Sequence, residues 1–279
     1  MPGTSMSSTG DPAASGIQGA AVAGEALPVS VCIVAYNEAP NIAEAITPVI
    51  GWASEVVVLN CESTDDTAEV ARAAGAVVFD VPNVLPEINK NIAFERARSE
   101  WVFSLDADEV VTEELKAEIA RTITANPVEN GFRMPRRNHY FGVPLTYGGQ
   151  WPNRQLRLFR RGRGRFPGIG PHEVVAIDGA IGELSSPMDH HPYPTFDVWL
   201  RKFDFYTRLG ADVLAQRQVP FTVRSIRHHM IWRPLRRWLE RLLLQRGLRD
   251  GVPGIFAATA DLITNVASFL RYWMASRGG

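Results

Sequence analysis

The 279-residue sequence has little cysteine, almost no net charge and no signal-peptide-like start. Its two cysteines, Cys32 and Cys61, are too few for a disulfide scaffold, so free thiols in a reducing compartment are expected. A net charge of −1 argues against a generic nucleic-acid binder. Residues 1–28 are rich in Ala, Gly, Ser and Pro and lack a basic start and a leucine-rich core, which predicts a disordered leader rather than a targeting signal.

After this leader, buried-strand patterns alternate with helical ones. The strand patterns start at Val29 and continue at 55–60, 76–81 and 101–106, and the helical patterns lie at 41–49, 67–74, 89–99 and 112–123. This alternation is typical of right-handed βαβ units in a parallel sheet, so we predict an α/β fold. Short apolar runs among many Gly, Pro and Arg residues at 131–184 predict short antiparallel strands that extend the sheet.

Three polar clusters follow three of the predicted strands. They are YNE at 36–38, NCESTDD at 60–66 and DADE at 106–109. Ligands of parallel α/β sheets bind at the carboxyl ends of the strands, which lie at one edge. The sequence therefore predicts a single site built from all three clusters.

The segment FSLDADE, residues 103–109, places Asp106, Asp108 and Glu109 after a buried strand. Carboxylates this close repel one another, and burying them without compensation is costly. A divalent cation would solve this, since Mg²⁺ and Mn²⁺ favour paired oxygen ligands completed by substrate phosphates. The alternative is capping of the helix that starts near Thr112. We favour a metal for the two aspartates and expect Glu109 to cap or brace that helix.

The segment NCESTDDT at 60–67 carries side chains that can hold a ribose or a base edge, with Asp65 best placed as an acceptor. It can equally be an ordinary capping turn, with Ser63 or Thr64 as the cap of the next helix. The cluster AYNE at 35–38 would add an aromatic ring and a carboxylate beside the base.

Three segments, SVCIVAYNEAPNIAEAI, VVVLNCESTDDT and WVFSLDADE, resemble the nucleotide-binding half of family 2 glycosyltransferases of the GT-A fold. The later segments GFRMPRRNHYFG, GGQWPNRQLRLFRRGRGRF, HEVV and HHPY resemble the lipopolysaccharide core heptose β-1,4-glucosyltransferases. The resemblance covers roughly residues 29–250. It implies a Rossmann-like, mostly parallel sheet flanked by helices, and metal-dependent, inverting transfer of a sugar from a nucleotide-sugar.

Position by position, the resemblance implies a donor site. Asp106 and Asp108 would bind Mg²⁺ or Mn²⁺ at the diphosphate of a UDP-sugar. His190 of HHPY would complete the metal shell, with His191 as the alternative in the doublet. The nucleotide-binding residues would be Ala35, Tyr36, Glu38, Asn60, Asp65, Lys90, Asn91, Asp106 and Ala107. Asn60 departs from the family, which usually has Asp there, and an amide both donates and accepts where a carboxylate only accepts.

Inverting transfer also needs a base that removes the proton of the acceptor hydroxyl. By the resemblance, Glu173 in PHEVV is our choice, with His172 orienting it or contacting phosphate. Asp189 is the competing carboxylate.

The middle of the chain is rich in arginine, and guanidinium groups suit phosphorylated or carboxylated acceptors. We predict an acceptor site that includes Arg136, Tyr140, Trp151 and Arg154, with the two aromatic rings stacking on a sugar. The alternative is that these arginines are solvated or paired with carboxylates, and that the aromatic rings pack in loops.

Residues 221–279 contain ten arginines and no lysine against three carboxylates. Trp and Leu alternate with Arg at helical spacing between Trp232 and Arg249, which predicts an amphipathic helix at a membrane surface. A spanning helix is disfavoured by Pro253, Asp261 and Asn265 in the longest apolar stretch. Packing on the catalytic domain, or on a second copy in a homo-oligomer, is the alternative.

We thus predict a leader at 1–28, a catalytic domain at 29–194 with a nucleotide-binding half (29–110) and an acceptor half (111–194), and a helical, membrane-proximal region at 195–279. The expected enzyme moves a glucose-like sugar onto a glycan, glycolipid or lipopolysaccharide-core acceptor at the inner face of the cytoplasmic membrane. One alternative is a nucleotidyltransferase, although a Gly-rich phosphate loop is missing after the first strand. The other is an inactive sugar-nucleotide-binding protein.

Overall fold

The computed structural model describes residues 26–167 and 174–277. The predicted leader therefore lies outside the described residues except for its last three positions, and the first strand begins two residues before the predicted Val29. The strands are β1 (Leu27–Ala35), β2 (Ala53–Cys61), β3 (Val77–Val81), β4 (Trp101–Asp106), β5 (Glu109–Val111), β6 (Gly131–Tyr140), β7 (Val143–Pro144), β8 (Asn153–Arg160), β9 (Gly164–Arg165), β10 (Ala176–Ile177), β11 (Ile181–Glu183) and β12 (Met188–Tyr193).

The α-helices lie between the first strands and after the last one. They are α1 (Ile42–Ile46), α2 (Thr67–Ala73), α3 (Pro86–Arg96), α4 (Glu113–Thr124), α5 (Phe196–Gln216), α6 (Val223–Arg227), α7 (Arg233–Leu239) and α8 (Gly251–Ala275). Helix α3 starts at Pro86, three residues before the predicted start, because proline suits the first turn of a helix. Helix α4 starts after Thr112, whose hydroxyl accepts a hydrogen bond from the Leu115 backbone N–H.

One large sheet organises the fold, with strand order β3-β2-β1-β4-β8-β6-β12-β5 and β7 and β11 paired to β6. Strands β1 to β4 are parallel, as predicted. Strand β8 then pairs antiparallel with both β4 and β6, which makes the predicted antiparallel extension. The predicted α/β class, a mostly parallel sheet flanked by helices with an antiparallel extension, is confirmed.

The central strands are buried on both faces, which explains their uninterrupted apolar sequences. Phe103 and Leu105 of β4 face one layer of the core, together with Ile33 of β1, and all three are fully buried. Cys32 and Cys61 lie in the other layer as buried free thiols. Burial raises the pKa of the Cys32 thiol, so it packs as a small apolar group rather than a reactive one.

The C-terminal region is helical, as predicted, but the helix expected over 232–249 is interrupted. Two π-helical turns, His228–Trp232 and Glu240–Leu244, flank α7, and a short 3-10 turn, Gly247–Asp250, precedes α8. In the second π turn the Gln245 N–H donates to the Glu240 carbonyl oxygen, an i to i+5 bond that helical periodicity does not predict.

Helix α8 packs along α5. The two helices approach closely at Gly210, where a Cβ atom would lie 2.3 Å from the Ser268 hydroxyl oxygen. Across the interface Arg271 also pairs with Asp204. By length and composition Gly247–Ala275 could cross a membrane, with a mean hydropathy of 1.3 over 18 residues, of which 33% are buried.

The C-terminal region is also hydrogen-bonded to the loop between β7 and β8. The Asp250 carboxylate accepts hydrogen bonds from the backbone N–H groups of Thr146 (3.0 Å) and Tyr147 (2.8 Å). The next N–H, that of Gly148, donates to the Gln245 carbonyl oxygen at 2.8 Å. Three consecutive amides of this loop are therefore satisfied by residues about a hundred positions away in sequence.

Candidate active site

The strand register brings the three predicted polar clusters together. Asp106 at the end of β4 pairs with Val34 of β1, and Asn60 at the end of β2 pairs with Ala35. Since β1 lies between β2 and β4, the loops that follow these strands leave the same edge of the sheet. The expectation of one site at this edge agrees with this arrangement.

The first two loops are joined by hydrogen bonds. Asn37 has a left-handed backbone (φ 54°), which asparagine tolerates well. Its N–H donates to the Ser63 hydroxyl at 3.0 Å, and its side-chain oxygen accepts from the Thr64 N–H at 2.8 Å. Ser63 and Thr64 therefore brace the neighbouring loop instead of capping α2.

Asp65 is held by backbone rather than left open. One of its carboxylate oxygens accepts from the Thr67 N–H at 3.1 Å, and the other from the Ala39 N–H at 3.2 Å. Burial raises the pKa of Asp65, but hydrogen bonds from Thr67 and the backbone outweigh it and leave the pKa below its usual range. Asp65 is thus an ionised carboxylate that holds the loop after β1 against the loop after β2.

The other nucleotide-binding candidates at the ends of β1 and β2 and in the loop after β1 differ in exposure. Ala35 is buried, whereas the Tyr36 ring is 49% exposed and free to stack. Burial raises the pKa of Glu38, although the Asn41 amide donates to its carboxylate at 2.7 Å. Asn60 is 7% exposed.

Asn60 uses its amide asymmetrically. Its N–H donates to the Asp80 carboxylate at 2.7 Å, and its side-chain oxygen is buried without a hydrogen-bond donor among residues 26–167 and 174–277. A buried acceptor without a donor is uncommon in folded proteins, where most buried polar atoms are paired.

Asp106 is clamped between two cations. Lys90 donates to one carboxylate oxygen at 2.6 Å and Arg157 to the other at 2.5 Å. Burial raises the pKa of Asp106, but the charges of Arg157 and Lys90 outweigh it and hold the pKa well below the usual range. Asp106 is therefore ionised, and both of its oxygens are already engaged.

The structure corrects the capping role expected for Glu109, because Thr112 supplies the side-chain cap of α4. Its side chain is fully buried, where one oxygen accepts from Arg157 at 2.5 Å and from Arg136 at 3.2 Å. The other oxygen accepts from the Asp106 backbone N–H at 2.9 Å. Glu109 thus braces the turn that carries the aspartates, because two guanidinium groups outcompete the helix dipole for its charge.

Asp108, in contrast to Asp106, opens on a cavity. Lys202 of α5 donates to it at 2.8 Å, and the His190 Nε2 atom lies 3.5 Å from its other oxygen. Burial raises the pKa of Asp108, but its hydrogen bond to His190 and the charges of His190 and Lys202 outweigh it, so the pKa lies well below its usual range.

His190 is oriented by Asn138. The Asn138 side-chain oxygen lies 2.8 Å from Nδ1, and its amide donates to Gln150 at 3.0 Å. This contact orients the ring so that Nδ1 faces the Asn138 oxygen and Nε2 faces Asp108, which is the orientation in which Nε2 could bind a metal. The His191 ring instead packs on the His139 ring, with 4.7 Å between ring centroids and a 31° tilt. His191 meets Asp108 only through the backbone, where its N–H donates to the Asp108 carbonyl oxygen at 2.8 Å, so the His190 ring is the one that faces the carboxylate.

These residues fit a divalent cation that takes only one or two ligands from the protein. Within the described part of the chain no group of three or more His, Cys, Asp or Glu residues is close enough to enclose a metal. Asp108 and His190 are the two candidate ligands that face the cavity, with one Asp108 oxygen bonded to Lys202, whereas Lys90 and Arg157 occupy both oxygens of Asp106. Mg²⁺ and Mn²⁺ sites that use one or two protein ligands are completed by phosphate oxygens of the substrate.

The candidate base lies outside the described residues, together with His172. The chain on the N-terminal side of Glu173 is anchored to α3, because Asn91 exchanges two hydrogen bonds with the Phe166 backbone, both at 2.9 Å. Asn91 is thus used for structure, one residue from Lys90. On the C-terminal side of Glu173, Val175 is buried in the core.

The competing carboxylate, Asp189, is already paired. Arg137 binds it with two hydrogen bonds, at 2.6 and 3.0 Å, and His139 contacts it at 2.9 Å. Burial raises the pKa of Asp189, but these partners outweigh it and lower the pKa overall. A carboxylate with a lowered pKa and a bidentate arginine is a poor proton acceptor.

A cavity of about 480 Å³ lies between the sheet edge and the C-terminal helices. Asp108, His190 and Lys202 line it, and Arg241 and Asp261 of the C-terminal region lie on its wall. Arg241 comes from the second π turn, 3.6 Å from the Asp261 carboxylate.

Two of the four acceptor candidates line this cavity, namely Arg136 and Tyr140. Burial raises the pKa of Tyr140 to about 12, so its hydroxyl remains a hydrogen-bond donor. Trp151 is 37% exposed and does not belong to the lining. Arg154 points elsewhere, donating to Glu183 at 2.7 Å.

Sequence patterns missed three cationic side chains of the site: Arg157, Lys202 and Arg241. Arg157 stood among many arginines of the middle segment with nothing to single it out. Lys202 carries a signal in hindsight, because it is the one lysine after residue 116 in a chain whose C-terminal part otherwise uses arginine.

Comparison with known sequences matches residues 30–176 to the profile of glycosyl transferase family 2. An uncharacterized glycosyltransferase of Rickettsia prowazekii is 37% identical over 251 residues, covering 84% of each chain. The lipopolysaccharide core biosynthesis glycosyltransferase LpsC of Rhizobium meliloti is 26% identical over 262 residues, covering 90% of this chain and 95% of its own.

Among solved structures, a mannosyltransferase from Pyrobaculum calidifontis in complex with GDP-mannose and Mn²⁺ has a similar fold. It superposes with a TM-score of 0.52, at 15% identity, covering 88% of this chain and 87% of the mannosyltransferase. At this identity the similarity concerns the fold alone, and the fold is the predicted GT-A type.

Proposed function

The chain belongs to glycosyl transferase family 2, and we therefore propose that it is an inverting, metal-dependent enzyme that moves a glucose-like sugar from a UDP-sugar to a glycolipid or lipopolysaccharide-core acceptor. The observation that carries this proposal is the pair Asp108 and His190, side by side at the carboxyl edge of the sheet and open on a cavity. Family membership favours transfer of a sugar over transfer of a nucleotidyl group.

Asp108 and His190 would hold Mg²⁺ or Mn²⁺, which would offset the charge that develops on the departing diphosphate. Lys90 and Arg157 keep Asp106 ionised and fixed in place. Glu109 fixes the turn between the two aspartates through the Asp106 N–H. The site is thereby pre-organised, so little reorganisation is needed when a donor binds.

The donor base would lie against the first two loops, where the Tyr36 ring is exposed. Asn60 lies behind these loops, where its amide donates to Asp80 and links the ends of β2 and β3. Asp65 holds the two loops together through the Thr67 and Ala39 amides. The exposed ring and the braced loops suit a nucleoside, and we propose a UDP-sugar as the donor.

We retain Glu173 as the base and His172 as its orienting partner. The pairing of Asp189 with Arg137 supports this choice by removing the competitor. In a single displacement at the anomeric carbon, the Glu173 carboxylate takes the proton of the acceptor hydroxyl as its oxygen forms the new bond and the diphosphate leaves.

The acceptor would enter the cavity beside Asp108. Arg136 and Arg241 give this cavity two guanidinium groups, which suit a phosphorylated or carboxylated sugar. The similarity to LpsC, whose name refers to lipopolysaccharide core biosynthesis, supports an acceptor of that class.

A thermal-shift screen tests the donor assignment. UDP-, GDP-, ADP- and dTDP-sugars are compared with and without Mn²⁺, and we expect a UDP-sugar to raise Tm only when Mn²⁺ is present. A free donor at 100 times its Kd would stabilise the protein by about 2.7 kcal/mol. A protein that no nucleotide-sugar stabilises in the presence of Mn²⁺ would contradict the proposed function.

We further propose that the enzyme docks on the cytoplasmic face of a membrane through an exposed surface, here called the basic apolar face. Its apolar part follows the helical turns from residue 231 to 244 and comprises Ile231, Trp232, Leu235, Leu239, Leu243 and Leu244, which are 41–80% exposed. Its basic part comprises the exposed Arg224, Arg227, Arg233, Arg236, Arg246 and Arg249. Apolar groups flanked by guanidinium groups match an anionic lipid surface.

Vesicle binding tests this surface. Arg233→Gln combined with Arg236→Gln should weaken binding to phosphatidylglycerol vesicles about 30-fold, since each surface cation contributes about 1 kcal/mol. Co-sedimentation at two salt concentrations measures the effect, which high salt should reduce. Arg121→Gln combined with Arg161→Gln, two exposed arginines of the catalytic half, serves as the matched control. If the wild-type protein is a dimer and does not bind anionic vesicles, membrane docking is contradicted. The basic apolar face would then be an interface with a second copy of the chain.

A further inference from the structure

Lys202 connects the C-terminal region to the two metal-ligand candidates. It lies in the second turn of α5, and its ammonium donates to Asp108 at 2.8 Å. Helix α5 begins at Phe196, beyond residue 176, where the family match ends. The side chain is 27% exposed and faces the cavity, with the Tyr193 ring 6.0 Å from the ammonium.

The three carboxylates of the site differ in how many cationic side chains pair with them. Asp106 has Lys90 and Arg157, and Glu109 has Arg157 and Arg136. Lys202 is thus the permanent charge that faces Asp108, with His190 beside it. It neutralises the one aspartate that the proposed metal needs.

A divalent cation on Asp108 and the Lys202 ammonium compete for the same carboxylate. Two positive charges that close repel each other, so the ammonium must leave Asp108 when the cation binds. Lysine is suited to such a move, because its flexible four-carbon stem carries a compact charge with three donors. The donor diphosphate brings phosphate oxygens to the same place and offers the ammonium a new partner.

We propose that Lys202 is an exchangeable counter-ion, which balances Asp108 in the empty enzyme and binds the donor diphosphate once the cation has taken that carboxylate. This inference rests on the proposed function. It makes α5 part of the donor site, although the nucleotide-binding half of the chain ends about ninety residues earlier.

The inference predicts opposite effects of one substitution on two binding constants. Lys202→Met removes the competitor, so Mn²⁺ alone should bind roughly two- to fivefold more tightly, the usual worth of a partly exposed ion pair. The same variant should bind UDP about 10- to 100-fold more weakly at saturating Mn²⁺, since one charged hydrogen bond is lost. Calorimetry with UDP and paramagnetic resonance of free Mn²⁺ measure the two constants.

Two further variants test whether the charge and the position of Lys202 are responsible. Lys202→Arg keeps a cation and should restore part of the UDP affinity. Lys116→Met, in which a similarly shielded lysine loses its partner Glu113 on α4, should change neither constant. If the role of Lys202 were merely structural, Lys202→Met would weaken the binding of both Mn²⁺ and UDP.

The outcomes separate this inference from the function on which it rests. Wild-type protein that binds none of UDP, GDP, ADP and dTDP with Mn²⁺ would overturn both. Wild-type binding that Lys202→Met leaves unchanged, or Mn²⁺ binding that it weakens, would overturn the counter-ion role alone.

Discussion

Asp108→Asn is expected to lower the turnover number about 10³-fold, because the loss of an ionised ligand removes about 4 kcal/mol of electrostatic stabilisation from the departing diphosphate. Asp108 is the aspartate that opens on the cavity, and an amide is a weaker ligand for a hard cation. Release of UDP from the donor sugar measures turnover, with water or an added glycan as acceptor. Mn²⁺ affinity should fall in parallel.

Asp212→Asn is the matched control, since it neutralises an exposed carboxylate on α5. It should leave turnover and Mn²⁺ affinity unchanged. Melting curves of both variants separate a loss of chemistry from a loss of folding. An Asp108→Asn enzyme that binds Mn²⁺ and turns over like wild type would show that the metal is held elsewhere.

Arg157→Met is expected to be the most damaging substitution for stability. The Arg157 side chain is 7% exposed and joins the carboxylates of Asp106 and Glu109, each at 2.5 Å. Its removal leaves the fully buried Glu109 with Arg136 alone, and breaking a buried ion pair from one side costs about 3–5 kcal/mol. For a chain of this size we expect Tm to fall by about 10 °C.

A double variant tests whether the cost comes from an uncompensated charge. Arg157→Met combined with Glu109→Gln removes that charge while retaining an oxygen for the Asp106 N–H. It should recover most of the lost stability, because the effects of substitutions at two residues in contact are not additive. The control Arg163→Met breaks an exposed pair with Asp178 and should cost less than about 1 kcal/mol. Equal losses in the single and double variants would indicate lost packing instead.

Part of the site was predictable from sequence because parallel strands place their carboxyl ends at one edge. The three polar clusters each follow an uninterrupted apolar run, and the register then puts Asp106 beside Val34 and Asn60 beside Ala35. The same reasoning gave the α/β class. Local patterns suffice here because strand order constrains where loops meet.

The cations could not be predicted, because they arrive from distant parts of the chain. Arg157 is 51 residues from Asp106, and Lys202 is 94 residues from Asp108. No periodicity or turn rule refers to such separations. Glu109 was misread for the same reason, since a helix-capping rule applies locally and a buried pair of guanidinium groups overrides it.

The basic apolar face illustrates a further limit. Helical spacing correctly placed Leu235 and Leu239 on one side of the chain with Trp232 near them, yet these side chains are exposed rather than packed on the catalytic half. Periodicity identifies which residues share a face and does not say what covers that face. The two π turns also shift the pattern, which leaves Leu242 buried beside the exposed Leu243.

The fastening of Asp250 to the Thr146 and Tyr147 amides bears on how this enzyme can be recombined with its relatives. A chimaera that joins residues 1–194 to the C-terminal part of another family member would need an acidic side chain at position 250. It would also need a small residue at position 247, where a Cβ atom would lie 3.3 Å from the Gly148 Cα atom. A C-terminal part without these two features would not fit the loop at 146–148.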